Sequence, residues 1–298
     1  MEKFIDLHIH SNFSDGILSP KEIIDEAKKN NVTTLSIADH DTIEAYNNDL
    51  YEYARKNNIQ IINGVEISSK INKISVHILG YNFDINNQKL KDKLKALRNA
   101  RHDYLYTVAD KLKKLGYIVN INELNKIEAV TKAHISKDVI NNPNNRDILL
   151  KEFNHIPNMG EFIETIMNEG CKAFVKKETI TPIEAANLIR NAGGKVVLAH
   201  PMAFKYEDDL KDFEIEKLVE DMNADGIEAN YIYISRDNQK IDETEKWNRF
   251  AEKHNLIATI GSDFHNKDGI HPEIGLTNVN FYLKNDEIKK IKNSILNN

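Results

Sequence analysis

The chain has 298 residues, of which 41% are hydrophobic and 29% charged, with 12 Gly, 6 Pro and one cysteine. This composition is globular and excludes a disordered, collagen-like or low-complexity chain. A lone Cys171 excludes an intramolecular disulfide and any multi-cysteine metal cluster. The formal charge of −6, from 40 basic against 46 acidic residues, argues against a surface built to coat nucleic acid. No run approaches the roughly 18–20 uncharged apolar residues of a membrane helix. The opening Met1-Glu2-Lys3-Phe4-Ile5-Asp6 has no apolar leader core. The expectation is a cytoplasmic protein with no membrane partner.

Residues 4–10 read as a short strand. Ser19-Pro20-Lys21-Glu22 is a capping box with proline at the first helical position, opening a helix to about Asn30. Residues 34–38 form the next strand. Asp41-Thr42-Ile43-Glu44 is expected to cap a helix that ends near Asn57-Asn58. Residues 59–63 and 74–79 read as the third and fourth strands. Alternation of strand and helix predicts a parallel α/β sheet. Near residue 86 the pattern changes. Leu90, Leu94, Leu97, Tyr104, Leu105, Val108, Leu112 and Leu115 recur at helical spacing in one long helix. Shorter helices and loops follow, among them residues 141–145, and no strand is expected until about Ala173. Alternation then resumes. Thr181-Pro182-Ile183-Glu184 is a second capping box, and Gly193-Gly194 ends that helix. Residues 195–199, 226–229 and 256–260 are strands, separated by a helix over about 210–222 and another ending near His254. The chain therefore reads as a split α/β domain, residues 1–86 and 175–298, with a mostly helical insertion over 87–174.

The ionisable residues fall at telling positions. Apolar strand runs lead into His8-Ile9-His10, Asp39-His40-Asp41, Glu66, His77, His200-Pro201 and Asp263-Phe264-His265. In a parallel barrel the C-terminal strand ends converge on one face, so these side chains arrive in one place. His8 and His10 are two residues apart on a strand and point to the same side, as do Asp263 and His265. Imidazole and carboxylate suit Zn, Mn or Fe, and the absence of nearby thiolates disfavours a soft-ligand site. The set is too large for one tetrahedral ion and fits two or three, with Glu66 as a bridging candidate. Without metals, so many titratable groups would be costly to bury. A single strand-end histidine is usually a satisfied core or surface residue, and Asp15-Gly16 alone is a turn. Recurrence at six strand ends is what carries the metal reading. His102, His155, His254 and His271 have no such context.

Between Lys89 and Leu115 there are seven Lys and two Arg against three Asp. Arg98 and Arg101 share a helix face. Tyr231 and Tyr233 follow Glu228-Ala229-Asn230, where they either stack on a base or sugar or pack in the core.

These residues carry a resemblance. His8-Ile9-His10-Ser11 with Ser14-Asp15-Gly16, Ala38-Asp39-His40-Asp41-Thr42, Gly64-Val65-Glu66-Ile67-Ser68, Val76-His77-Ile78-Leu79-Gly80, Leu198-Ala199-His200-Pro201 and Gly261-Ser262-Asp263-Phe264-His265 resemble the PHP family (polymerase and histidinol phosphatase). The likeness spans nearly the whole chain. It is greatest to the stand-alone phosphoesterases acting on nucleoside 3′,5′-bisphosphates and short 5′-phosphorylated RNA. It implies an α/β fold, a distorted (β/α)7 barrel with an inserted helical subdomain, and a trinuclear site. By motif, His8, His10, Glu66 and Asp263 would hold the first metal. Glu66, His77 and one further histidine would hold the second, with His200 favoured and His134 its rival. Asp15, His40 and His265 would hold the third. The implied cofactors are two to three divalent ions, Mn, Zn or Fe.

The same resemblance gives Asp263, Glu66 and His200 to catalysis, and Arg98, Arg101, Lys132 and His134 to substrate binding. Two departures bear on substrate contacts. Lys132 stands where relatives often carry Arg, giving a point charge without a bidentate fork. Met202 stands where Gly often follows His-Pro. The implied activity is hydrolysis of phosphate monoesters of small nucleotides, such as nucleoside 3′,5′-bisphosphates, by metal-activated hydroxide. Alternatives are a 5′-3′ exonuclease on short 5′-phosphorylated single-stranded RNA or DNA, and a histidinol-phosphate-type phosphatase. The acidic net charge favours small or short substrates over long nucleic acid.

Overall fold

The computed structural model describes residues 4–72, 74–127, 130–176, 179–235 and 237–297. Met1, Glu2 and Lys3, which open the segment read for a leader, lie outside them. The chain divides into two compact units, Met1–Leu94 with Ile180–Asn298, and Lys95–Thr179.

The first unit carries the strands β1 (Phe4–Ile9), β2 (Val32–Ile37), β3 (Gln60–Ile61), β4 (Gly64–Ile71), β5 (Ile74–Tyr81), β6 (Lys195–Leu198), β7 (Gly226–Asn230), β8 (Ile232–Ile234), β9 (Lys240–Asp242) and β10 (Ile257–Ile260). They form a three-stranded sheet β1-β2-β3, a five-stranded sheet β10-β7-β6-β5-β4 and a hairpin β8-β9. The smaller sheet is parallel. In the larger one, β4-β5 and β5-β6 are antiparallel while β6-β7 and β7-β10 are parallel. The expectation of a wholly parallel sheet is corrected here. Two residues separate β4 from β5, far fewer than the crossover a parallel pair requires. The ladders of the described residues form no closed barrel. The two larger sheets are joined at isolated bridges, Ile9 with Phe264 and His40 with Glu66.

Local chemistry explains most element boundaries. Ser19 and Glu22 make a reciprocal capping box at helix Pro20–Lys29, as Thr181 and Glu184 do at helix Pro182–Asn191. The helix expected from Asp41 begins later, at Asn48, where the Asn47 side chain accepts from Leu50 N–H. Asp41 itself sits at φ 52, which a helix start does not permit. Its carboxylate accepts from Ser68 N–H at 2.9 Å and ties this loop to β4. Helix Pro201–Glu207, the β8-β9 hairpin and the final helix Asn285–Leu296 had no counterpart in the sequence reading.

Strand periodicity sorts the interior. On β1, Ile5 and Leu7 join the apolar core with Leu79, Tyr81, Val197, Ala199 and Ile260. Asp6, His8 and His10 alternate with them and face the other way, equally buried.

Helix Gln88–Lys114 begins in the first unit and continues into the second. The second unit adds helices Ile121–Leu124, Lys132–Asn141, Arg146–Phe153 and Met159–Phe162, then a π turn over Ile163–Met167. Its core includes Leu105, Val108, Leu112, Ile135, Val139, Leu149 and Phe162. Among the described residues, no helix is long and apolar enough to cross a membrane.

A candidate metal centre in the first unit

Six strands and a loop of the first unit deliver histidines and carboxylates to one cluster. β1 brings His8 and, one residue past its end, His10. The segments following β2, β6 and β10 bring His40, His200, and Asp263 with His265. Asp15 comes from the loop after β1. Glu66 and His77 depart from the expected pattern. They lie inside β4 and β5 rather than at C-terminal strand ends, and reach the cluster because those strands run antiparallel.

Glu66 is the hub. Its Oε1 is 2.9 Å from His77 Nδ1 and 3.0 Å from His200 Nε2. Its Oε2 is 2.9 Å from His40 Nδ1, 3.3 Å from His10 Nε2 and 3.4 Å from His8 Nε2. Asp263 Oδ1 lies 3.4 Å from His8 Nε2 and 3.2 Å from His10 Nε2. Asp15 lies 3.5 Å from His10 Nδ1, 3.7 Å from His40 Nε2 and 3.4 Å from His265 Nε2. Three overlapping groups have ligand atoms close enough to share an ion: His8-His10-Glu66, His40-Glu66-His77 and His10-Asp15-His40-His265. Asp263 and His200 adjoin them. The floor is fully enclosed, whereas the Asp263, His77 and His265 side chains remain 20%, 25% and 31% exposed.

The donors fit divalent metals. His8 Nε2 and His10 Nε2 face each other at 3.1 Å. Buried Asp15 Oδ1, Glu66 Oε2, His40 Nδ1 and His200 Nδ1 have no hydrogen-bond partner. His40 Nδ1 and Glu66 Oε2 are near but not aligned for one. Lone pairs converging at this spacing suit ligand–metal distances of about 2.0–2.2 Å to nitrogen and oxygen.

Charges within the cluster compensate one another. Burial opposes a charge on His8, but Glu228, Asp263 and Glu66 outweigh it and hold the imidazole protonated well above its usual range. At His10, burial is likewise outweighed by the hydrogen bonds that the ring donates to Asp263 and Glu66, which raise its pKa to about 10. Burial would lift Glu66, yet His40, His77 and His8 hold it well below the usual carboxylate range. The same balance, through His8 and His265, keeps Asp263 low. For His77 burial prevails and its pKa falls. A divalent ion would displace these protons and take over the compensation.

The backbone is shaped to aim these groups. Among the described non-glycine residues at positive φ, His200 (φ 21) is the one that is neither Asn nor Asp, and Asp263 (φ 53) is another. Such conformations persist where the surroundings enforce them. Gly261 is required by close approach. A Cβ there would lie 2.3 Å from both Glu228 Oε1 and His8 Cβ.

Supporting carboxylates were given no role in the sequence reading. Glu228 on β7 faces His8 Nδ1 at 3.0 Å and accepts from His200 N–H at 2.9 Å. Asp39 accepts from Ser11 N–H at 2.7 Å and from the hydroxyls of Ser11 and Ser14, fixing the loop that carries Asp15. Asp6 accepts from Ser262 N–H and Gly275 N–H, and burial pushes its carboxyl up to about 6. The one available signal was an acidic residue inside an apolar strand run.

Arg98, Arg101, Lys132 and His134 belong to the second unit. There Arg101 is buried, Lys132 Nζ donates to Asn168 Oδ1 at 2.8 Å, and His134 Nδ1 accepts from Thr131 N–H at 3.1 Å in a helix cap. Tyr231 and Tyr233 are buried, which favours packing over stacking on a ligand. The Tyr231 ring lies 5.8 Å from that of His200, and the Tyr233 hydroxyl donates to Glu207. His254 approaches Glu216 and Glu220, but Lys253 Nζ, 3.4 Å from Glu216, already supplies a cation there.

Known proteins bear on this site. The PHP domain family matches residues 6–264. A Haemophilus influenzae protein named 5′-3′ exoribonuclease is 32% identical over 272 residues, covering 89% of this chain and 91% of its own. A Chromobacterium violaceum protein named 3′,5′-nucleoside bisphosphate phosphatase is 28% identical over 265 residues, covering 88% and 87%. A Chromobacterium violaceum structure described as an amidohydrolase with bound sulfate aligns with a TM-score of 0.71 at 27% identity, over 91% of this chain and 89% of that one. A Bifidobacterium adolescentis structure, at 22% identity and a TM-score of 0.71, shares the fold over 98% of this chain and 96% of that one. Matched along most of its length, this chain belongs to the PHP family and is a metal-dependent phosphoesterase.

Proposed function

We propose that the protein hydrolyses phosphate monoesters of small nucleotides, nucleoside 3′,5′-bisphosphates foremost, with two to three divalent ions. One observation carries this reading: the single buried carboxylate of Glu66 presents one oxygen to His77 and His200 and the other to His8, His10 and His40. In this reading His8, His10, Glu66 and Asp263 hold one ion, Glu66, His77 and His200 a second, and Asp15, His40 and His265 a third. Proximity to Glu66 and His77 supports His200 over His134 in the second set. Mn, Zn or Fe each suits these donors. Bound there, the ions would supply a nucleophile from water of lowered pKa and neutralise phosphoryl oxygens.

The chain's own residues do the placing. Glu66 presents both carboxylate oxygens to the surrounding histidines and would help to hold more than one ion. The enclosed His8 and His10 keep bulk water from the floor. The partly exposed Asp263, His77 and His265 leave the side by which a phosphate enters. The proposal assigns phosphate contacts to Arg98 and Arg101, with Lys132 and His134 as further contacts. The Arg101→Glu variant tests this through a raised KM for the phosphorylated substrate.

The test is phosphate release from adenosine 3′,5′-bisphosphate by manganese-reconstituted protein, with Asp263→Ala as control. Release by the wild type alone is expected. No release from protein verified to hold its metals would sink the bisphosphate reading. The Haemophilus relative favours the second reading, 5′-3′ hydrolysis of short 5′-phosphorylated RNA or DNA. Activity climbing with oligonucleotide length and falling steeply with salt would select it.

A further inference from the structure

The geometry points to Glu228 as a positioning residue that fixes the tautomer of His8 and the backbone of His200 together, and so sets the metal affinity of two ligand sets at once. This rests on the reading of His8 and His200 as metal ligands.

Glu228 is the central residue of β7, buried between Ile227 and Ala229 and 1% exposed. Its Oε1 lies 3.0 Å and its Oε2 3.2 Å from His8 Nδ1. Oε2 also accepts from His200 N–H at 2.9 Å. A carboxylate only accepts, so the His8 proton resides on Nδ1. In the neutral ring, the form that can bind a metal, Nε2 is left as a lone pair directed at His10, Glu66 and Asp263. A carboxylate behind a metal-binding imidazole orients the ring and raises its basicity. Here the same carboxylate also holds His200 at φ 21, an unfavourable conformation for a residue other than Gly, Asn or Asp. Gly261 leaves room for this approach and for nothing larger.

Both partners are donors, and this makes the usual isostere non-conservative. A glutamine has one accepting and one donating end. With its NH₂ toward His8, the ring must shift its proton to Nε2, the atom aimed at the cluster. With its NH₂ toward His200 N–H, two donors meet and the strained turn must move. Aspartate keeps two accepting oxygens but withdraws them by one methylene.

The experiment strips and reloads wild type, Glu228→Gln and Glu228→Asp with Mn²⁺ or Zn²⁺. Stoichiometry is read by equilibrium dialysis with elemental analysis, and affinity by competition with a chromogenic chelator. Metal-free thermal melts run alongside. We expect Glu228→Gln to melt as a folded protein and to bind metal about 10–100-fold more weakly. Excess metal should recover its turnover, which a collapsed site would not allow. Glu228→Asp should fall between it and the wild type. Wild-type affinity and stoichiometry in a folded Glu228→Gln would overturn the inference. If that variant does not fold, Glu228→Asp decides: weakened affinity relieved by excess metal supports the inference, and unchanged affinity overturns it. A wild type that binds no divalent ion overturns instead the metal-centre reading on which the inference stands.

Discussion

The helical unit fills its interior with Leu105, Val108, Leu112, Ile135, Val139, Leu149 and Phe162. The strand-bearing unit places Asp6, His8, His10, Asp39, Glu66 and Glu228 at the same depth. The first kind of interior needs nothing beyond good packing. The second kind is tenable because nearly every group finds an opposite charge or a donor, and the lone pairs left over converge where an ion can sit. Stability in the one is set by volume, and in the other by protons and metal.

Glu66→Gln should give the largest effect. It keeps the shape but removes one accepting oxygen and the charge shared by five imidazoles. Loss of several kcal/mol of metal-mediated transition-state stabilisation corresponds to about a thousandfold or greater fall in kcat/KM. Phosphate release on a folded variant checks this, and a modest fall would remove Glu66 from its central place.

The polar interior should also respond to pH. In metal-free protein His10 has its pKa raised to about 10 from an ordinary 6.5. Its proton therefore stabilises the fold fully below 6.5, and that contribution is lost as pH rises through about 10. Melting temperatures of chelator-treated protein should drop over that window more than those of loaded protein. Parallel curves would break the contrast between the two interiors.

Phe162→Ala tests the apolar side. It should cost about 3–5 kcal/mol in denaturant unfolding while bound metal stays at the wild-type level. Metal lost along with stability would show that the two interiors are not set by separate means. Gly261→Ala should cost about 1–3 kcal/mol by overpacking against Glu228 and His8, and lower metal affinity as well. Asn47→Ala, which removes the helix cap, should cost about 1 kcal/mol with activity untouched.

What could be read from the sequence follows the range of each signal. The cluster residues His8, His10, His40, His200, Asp263 and His265 were legible because each closes an apolar run, and two of the runs close in a pair. Ser19 and Thr181 were legible as caps because a capping box is written within four residues. The antiparallel β4-β5 pair was missed because Glu66 looked like the end of a strand, while β4 runs five residues further to Ile71. Asp41 mimicked a helix cap, and a carboxylate bond to Ser68, distant in sequence, decided otherwise. Glu228 was passed over because its partners lie 220 and 28 residues away, and an acidic residue in an apolar strand run does not name them.

The two isolated bridges have a mechanical consequence. Ile9 lies between His8 and His10, Phe264 lies between Asp263 and His265, and the other bridge pairs His40 with Glu66 directly. The seam joining the two larger sheets is thus the line along which the candidate ligands stand, and ions bound there would act as rivets across it. Chelation should unzip the seam before it disturbs any ladder. The amides of His10 and Asp41, which cross it to Phe264 and Glu66, should then exchange hydrogen faster while the β4-β5 amides stay protected.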